Sequence, residues 1–176
     1  MRSTHPGGWT AASDRTRILA IDPGTRIAGY AVLDFTPGGD GTIVDAGVLR
    51  LHANGSLAHR VRQLFDDVVA LVEEHAPTHL ALEGLFSHVA HARTAIQMAH
   101  GRGAVLLAAE IRGLPIAELP PAEVKKALTG SGRASKAQMQ RAVMTQCALA
   151  VAPEPPDVAD AIGIALCAGR RLGSAR

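Results

Sequence analysis

Short apolar runs separated by turn residues dominate the first fifty residues of the sequence. Three such runs occur, at 17–22, 29–33 and 42–49, with glycine, proline or aspartate between them. Apolar runs of this length between turn residues are typical of β-strands, and their short connections favour antiparallel hairpins. The sequence therefore predicts that three strands open the domain.

A helical period follows these strands. Between Leu57 and Glu74 apolar residues recur every three or four positions, which predicts one amphipathic helix. Pro77 ends this helix, because proline lacks the backbone N–H that a helix interior needs. Residues 78–83 then form a fourth predicted strand, which ends on Glu83.

The second half of the chain alternates helices with one more strand. The strand is predicted at 114–119, and the helices near 92–112, 122–128, 135–147 and 157–171. Ser135 followed by Gln138 has the spacing of a capping box, which marks the start of a helix. This order of elements predicts an α/β domain in which helices flank a mixed five-stranded sheet.

The length and composition indicate one domain. The chain has 176 residues, of which 47% are hydrophobic but only 3% aromatic, so Ala, Val, Leu and Ile must build the core. We expect a flexible extension at 1–15, a single domain at 16–172 and a short tail at 173–176. No apolar stretch approaches the roughly 20 residues that a membrane-spanning helix needs.

The net charge and the two cysteines narrow the possible functions only slightly. The formal net charge of +2, from 18 Lys and Arg against 16 Asp and Glu, does not by itself indicate a polyanionic partner. Cys147 and Cys167 lack the spacing of a thiolate metal pair and are too few for a disulfide framework. We therefore expect reduced thiols and a cytoplasmic protein.

Acidic residues stand at the ends of two predicted strands and at the start of the last helix. Asp22 and Glu83 each close an otherwise apolar strand, at the edge where open α/β sheets usually place ligands. Asp157 and Asp160 lie three residues apart, so their side chains project from nearly the same helix face. Helix capping at Asp157 and a turn at Asp22 are the structural alternatives.

Convergence of the four acids would require a cation between them. Mutual repulsion would otherwise raise their pKa values and destabilise the fold. An all-oxygen ligand set suits Mg²⁺ or Mn²⁺, and four carboxylates can hold two ions about 4 Å apart. Such a pair activates water for the hydrolysis of a phosphodiester.

Four segments of the sequence together resemble one enzyme family. They are Ile21-Asp-Pro-Gly-Thr-Arg26 with Gly29-Tyr30, Leu82-Glu-Gly-Leu-Phe86, Val124-Lys125 with Lys136, and Pro156-Asp-Val-Ala-Asp-Ala161. Their order and spacing resemble the RuvC Holliday-junction resolvases, from about residue 17 to residue 171. Each segment is short, but four in one order are specific.

The resemblance implies a ribonuclease H-like homodimer that binds a four-way DNA junction. Such an enzyme nicks two strands of like polarity in recombination and repair and leaves 5'-phosphate ends that a ligase can seal. The resemblance places Asp22, Glu83, Asp157 and Asp160 on the family's metal-ligand positions, although some relatives carry His at the position of Asp157. It also implies a branch-migration partner of the RuvA and RuvB type. We expect the dimer to form through the helix at 92–112.

The resemblance assigns further residues to DNA. Phe86 falls where the family has an aromatic residue that helps to open base pairs near the crossover, and packing into the core is its structural alternative. Lys125 and Lys136 fall on basic positions near the DNA. Lys126 and Arg133 extend them into a basic cluster that could contact phosphates, although a solvated helix surface has the same pattern.

Three alternatives compete with the junction nuclease. Asp-x-Gly-Thr after a strand also begins the phosphate-binding hairpin of actin-like and sugar-kinase-like ATPases, but these need two lobes and a second Asp-Gly loop. YqgF-like RNA nucleases share the fold and the Asp-Pro-Gly start. A junction-binding module without cleavage is the third, and the intact acids argue against it.

Overall fold

The computed structural model describes residues 15–24, 26–37, 40–52, 54–84 and 92–173, with the side chains of 92–94 left out. Most of the predicted extension and the last three residues therefore lie outside the described residues. The same holds for Phe86, whose predicted contact with DNA is not addressed by the structure.

Five strands form one mixed sheet, as predicted. They are β1 (Thr16–Asp22), β2 (Ile27–Phe35), β3 (Thr42–Arg50), β4 (His79–Glu83) and β5 (Ile116–Leu119). Their order across the sheet is β3-β2-β1-β4-β5. The first three strands pair antiparallel, whereas β4 is parallel to both β1 and β5. The carboxyl ends of β1, β4 and β5 therefore lie along one edge of the sheet.

Five helices cover the two faces of the sheet. They are α1 (Leu57–His75), α2 (Ala92–Ile111), α3 (Pro121–Thr129), α4 (Lys136–Gln146) and α5 (Pro156–Gly173). Buried residues of α1 and α2 pack on one face, and those of α3, α4 and α5 pack on the other. Because side chains alternate along a strand, each strand contributes to both cores. No helix within the described part of the chain is long and apolar enough to span a membrane.

The observed boundaries lie within two residues of the predicted ones, and two of the differences have clear local reasons. The fifth strand begins at Ile116, because the N–H of Leu114 still bonds the carbonyl of Ala109 at the end of α2 and Pro115 has no N–H to donate. The last helix begins at Pro156, one residue early, where proline suits a first helical turn. Both cysteines are free thiols, as predicted.

Candidate active site at the carboxyl edge of the sheet

Two acids end adjacent parallel strands at this edge. The registered pairing of β1 with β4 extends to Ile21 opposite Leu82, so Asp22 and Glu83 are the next residue of each strand. Their side chains point to the face covered by α5, because Ala20 and Ala81, two residues earlier, lie in the core on that face. The structure thus brings the strand-end acids side by side.

The start of α5 brings the other two acids to the same place. Asp157 lies against Gly29, which pairs directly with Asp22 across β1 and β2. A Cβ atom at Gly29 would stand 2.1 Å from the carbonyl oxygen of Asp157. Only glycine therefore permits this approach of the helix to the strand. Asp160 follows one turn later on α5.

The electrostatics of Asp22 show that the four acids share one environment. The pKa of Asp22 is raised from 3.8 to about 7, first by burial and then by the negative charges of Asp160, Glu83 and Asp157. The positive charge of Lys136 acts in the opposite direction but is the smallest contribution. Without a cation, the chain does not fully compensate the charge of this cluster.

Glu83 and Asp160 follow the same pattern. Burial is the main cause that raises the pKa of each, and the charge of Asp160 adds to the rise at Glu83. Lys125 and Lys136 lower both pKa values. The Nζ atom of Lys136 stands 3.6 Å from Asp160, but 82% of the Lys136 side chain is exposed. Such an exposed pair is weak, so it does not neutralise the acids.

The types of ligand at this site suit a hard divalent cation, although the side chains of the four acids are not arranged around one point. Among the residues that the structure describes, no three His, Cys, Asp or Glu side chains are arranged to hold a metal ion. Four partly buried carboxylates, three of which (Asp22, Glu83 and Asp160) have raised pKa values, nevertheless supply the oxygen ligands that Mg²⁺ and Mn²⁺ prefer. Binding would require these side chains to rotate toward a common point.

Comparison with known proteins identifies the family. The family profile described as "Crossover junction endodeoxyribonuclease RuvC" matches residues 18–168. The chain belongs to the RuvC family. It is 44% identical to RuvC of Halorhodospira halophila over 152 residues. This aligned region covers 86% of this chain and 89% of the relative. The RuvC family consists of metal-dependent nucleases, and this membership decides against the RNA-nuclease and ATPase families considered from the sequence.

Solved structures agree with the family. RuvC of Thermus thermophilus is 29% identical, has a TM-score of 0.80 and covers 90% of this chain and 97% of its own. The same enzyme "in complex with Holliday junction substrate" is 27% identical, with a TM-score of 0.84 and coverage of 91% and 96%. The predicted ribonuclease H-like fold is thereby confirmed.

The basic residues expected from the sequence at the DNA divide into two pairs. Lys125 on α3 and Lys136 on α4 both act on the acids of the site. A capping box places Lys136 as the first residue of its helix: the Ser135 hydroxyl accepts from the N–H of Gln138, and the Gln138 side chain accepts from the N–H of Ser135. Lys126 and Arg133 are exposed and do not contribute to the shifted pKa values of the acids.

Sequence reasoning missed two residues that shape this RuvC site. Gly29 was part of the quoted segments, but its closeness to Asp157 joins elements 128 positions apart, which no local pattern reveals. Arg102 was not singled out within the helix predicted at 92–112, yet its guanidinium donates to the backbone carbonyl of Glu83. The only local sign of this role in the sequence was an arginine between two glycines in the predicted helix. In the structure, this position lies on the buried side of α2.

Proposed function

We propose that this chain is a crossover junction endodeoxyribonuclease that resolves four-way (Holliday) junctions during homologous recombination and DNA repair. The observation that carries the proposal is the convergence of Asp22, Glu83, Asp157 and Asp160 in one partly buried cluster in a chain of the RuvC family. A relative that covers most of this chain was solved with a Holliday junction, which supports the same substrate here.

In this proposal, the four acids hold two Mg²⁺ ions, for which Mn²⁺ substitutes. When bound, such ions lower the pKa of a water nucleophile and stabilise the leaving 3'-oxygen of the scissile phosphodiester. The acids supply oxygen ligands from three separate elements, β1, β4 and α5. Asp22, with a pKa near 7, must lose its proton before it can serve as a ligand, so metal binding at neutral pH should release protons.

The lysines beside the acids are suited to the DNA backbone. Lys136 is mostly exposed and only weakly paired with Asp160, so its ammonium group can exchange that carboxylate for a phosphate. Lys125 lies close enough to lower the pKa of Glu83. Lys126 and Arg133 extend this surface away from the acids. Phe86, three residues beyond Glu83, stays a prediction from the family resemblance.

We infer a homodimer formed through α2, as expected from the sequence. One side of this helix packs on the core, whereas the large apolar side chains of Ile96, Leu107 and Ile111 are more than half exposed. Gly103 lies on the same outer side, and a Cβ atom there would meet nothing within 4 Å. Large apolar side chains exposed along one side of a helix are typical of a protein interface. The RuvA and RuvB partners, the cytoplasmic location and a single domain at 16–172 remain predictions.

Junction cleavage tests the proposed activity directly. The chain would be incubated with a synthetic four-way junction in Mg²⁺, in Mn²⁺ or in chelator, with linear duplex and RNA of the same sequence as controls. We expect paired, ligatable nicks that require the metal and the junction. Metal-independent binding without nicks would overturn the proposal, and so would cleavage of RNA in preference to the junction.

Sedimentation of Leu107→Glu tests the dimer. A charge among the exposed apolar side chains of α2 should convert the protein to a monomer without unfolding it, because 54% of Leu107 is exposed. Val151→Glu is the matched control, since Val151 is 75% exposed and lies outside α2. A Leu107→Glu protein that remains dimeric would place the interface elsewhere.

A further inference from the structure

Arg102 is the one charged side chain that the described part of the structure buries. It is 8% exposed and lies on α2, on the face of the sheet opposite the acids. Its Nη1 group donates to the backbone carbonyl of Glu83, and its Nη2 group forms an ion pair with the carboxylate of Glu118. A single guanidinium thus links α2 to the ends of β4 and β5.

This contact lies where the parallel ladder ends. Glu83 pairs with Leu119, and the N–H of the following residue, Gly84, donates to the carbonyl of Leu119 at 2.8 Å. The carbonyl of Glu83 accepts a hydrogen bond from Arg102 at this position. A carbonyl that loses its donor away from water is destabilising, so this bond helps to fix the strand end.

The arginine holds the backbone of Glu83 and leaves its carboxylate for other partners. The Glu83 side chain points to the α5 face, while the guanidinium approaches from the α2 face. Glu118 pairs with Leu82 in the ladder, so its side chain points to the α2 face and meets the guanidinium there. The fork of arginine fits these two acceptors, whereas a lysine would offer a single point charge.

Gly101 brings this part of α2 close to the other strand end as well. A Cβ atom at Gly101 would lie 3.9 Å from the carbonyl oxygen of Gly24, two residues beyond Asp22. The segment of α2 around Arg102 therefore lies beneath the ends of both β1 and β4, from which two of the four acids project.

We propose that Arg102 is a positioning residue that orients Glu83 as a metal ligand by fixing the end of β4. The inference rests on the proposed function, because it assigns a metal to Glu83. Partners that orient a ligand from behind commonly contribute about 10–100-fold to metal affinity or activity.

The sign of the effect separates positioning from simple electrostatics. Arg102 carries a positive charge beneath a cation site, so removal of that charge alone should tighten the binding of a divalent ion. Loss of the positioning contact should weaken it. Arg102→Gln therefore distinguishes the two explanations by direction and not only by size.

The experiment compares full-length Arg102→Gln, Arg102→Lys and Arg112→Gln with the unaltered chain. Arg112 is the matched control, because it directly follows the last residue of α2 and pairs with Glu73 of α1 instead of with β4 or β5. Mn²⁺ binding is measured by calorimetry without DNA, the Gly84 amide by hydrogen exchange, and junction cleavage as a function of Mn²⁺ concentration.

We expect Mn²⁺ binding to weaken about tenfold or more in Arg102→Gln, with faster exchange at Gly84 and cleavage that recovers at high Mn²⁺. Arg112→Gln should match the unaltered chain. Mn²⁺ binding that is unchanged or tighter in Arg102→Gln would overturn the inference. If Arg102→Gln does not fold, Arg102→Lys decides: weaker Mn²⁺ binding at unchanged melting temperature supports positioning, and unchanged binding contradicts it.

The unaltered chain separates this inference from the proposed function. If it neither binds Mn²⁺ nor cuts the junction, the proposed function and the inference fail together. If it does both and the Arg102 variants behave identically, the inference alone fails.

Discussion

The two faces of the sheet use alternate residues of the same strands but differ in side-chain size. The face toward α1 and α2 carries large apolar residues on the central strands, namely Leu19, Ile21, Leu80 and Leu82. The face toward α5 carries a row of alanines in register across all five strands, namely Ala46, Ala31, Ala20, Ala81 and Ala117. Along this row the α5 face is thin and the opposite face is thick, and we call them the thin face and the thick face.

The thin face explains where the acids meet. Small residues of the sheet face a helix that also buries small residues, including Ala161, Gly163 and Ala165, so α5 can approach the strands closely. The next row toward the carboxyl edge contains Gly29 and Asp22, and Asp157 lies directly on the glycine. The chemistry is therefore located where the absence of side-chain volume lets a helix reach the strand ends.

The core on the thick face stabilises the fold, whereas the acid cluster on the thin face destabilises it when no metal is bound. Large buried side chains of the α1 and α2 core supply most of the hydrophobic volume near β1 and β4. The α5 face instead ends in four acids whose repulsion and burial disfavour the folded, metal-free state. Substitutions on the two faces should accordingly affect different properties.

Asp22→Asn is expected to have the largest effect on catalysis. Loss of a central metal ligand should lower the cleavage rate on the order of 10³-fold or more, while junction binding changes little, because the ligands serve chemistry more than docking. Single-turnover cleavage and gel-shift binding measure the two properties.

Asp34→Asn is the control, since Asp34 lies on the same sheet but is paired with Arg17 at the opposite end of β1. It should lose stability and keep cleavage. Full cleavage by Asp22→Asn would refute the assignment of the site.

Gly29→Ala tests whether the close approach of α5 is required. The added methyl group would overlap the carbonyl of Asp157, so the start of α5 must move away from Asp22. A displacement of about 1 Å in an active site can cost 10²-fold in rate, and we expect a loss of that order. Gly173→Ala, at the end of the same helix where a Cβ meets nothing within 4 Å, is the matched control. Equal cleavage by both variants would contradict the packing argument.

Sequence periodicity predicted the elements of the fold well, because local rules determine them. The start of α1 at Leu57 and the capping box at Ser135 need only a few neighbouring residues. The order of strands across the sheet and the placement of β4 beside β1 depend on contacts between distant segments. Periodicity and element order predicted the α/β class with a mixed five-stranded sheet, whereas the family resemblance predicted the ribonuclease H-like fold.

The site shows the same division between local and distant information. Asp22 and Glu83 could be selected because each ends an apolar strand, whereas Asp157 taken alone looked equally like a helix cap. The contributions of Gly29 and Arg102 could not be predicted, since they depend on a contact with α5 and a bond to β4 that no sequence interval encodes.

Ala81→Leu and Leu80→Ala test the difference between the two faces with neighbouring residues of one strand. Ala81→Leu overfills the thin layer and should push α5 outward, which costs about 1–3 kcal/mol of stability and weakens Mn²⁺-dependent cleavage by about tenfold. Leu80→Ala leaves a cavity under α1 and α2 that costs about 2–5 kcal/mol, with cleavage retained below its melting temperature. Denaturant unfolding and cleavage assays measure both. Activity that merely follows stability in the two variants would show that the faces do not differ in function.

The smallest expected effect is a pH dependence of stability without metal. The pKa of Asp22 lies near 7 in the folded state, first because of burial, and near 3.8 in the unfolded chain. Between these values the folded state binds more protons than the unfolded state, so stability falls as the pH rises through this window and the loss is complete above about 7. Glu83 and Asp160 shift in the same direction.

Asp22→Asn removes this contribution. In chelator, its melting temperature should fall less between pH 5 and pH 8 than that of the unaltered chain, by a few °C, which corresponds to about 1–2 kcal/mol. Mn²⁺ should reduce the fall in the unaltered chain, because it binds the ionised acids, and should have less effect on the variant. Equal slopes for the two proteins in chelator would mean that Asp22 is not held protonated by its surroundings, and that the thin face tolerates the acid cluster without cost.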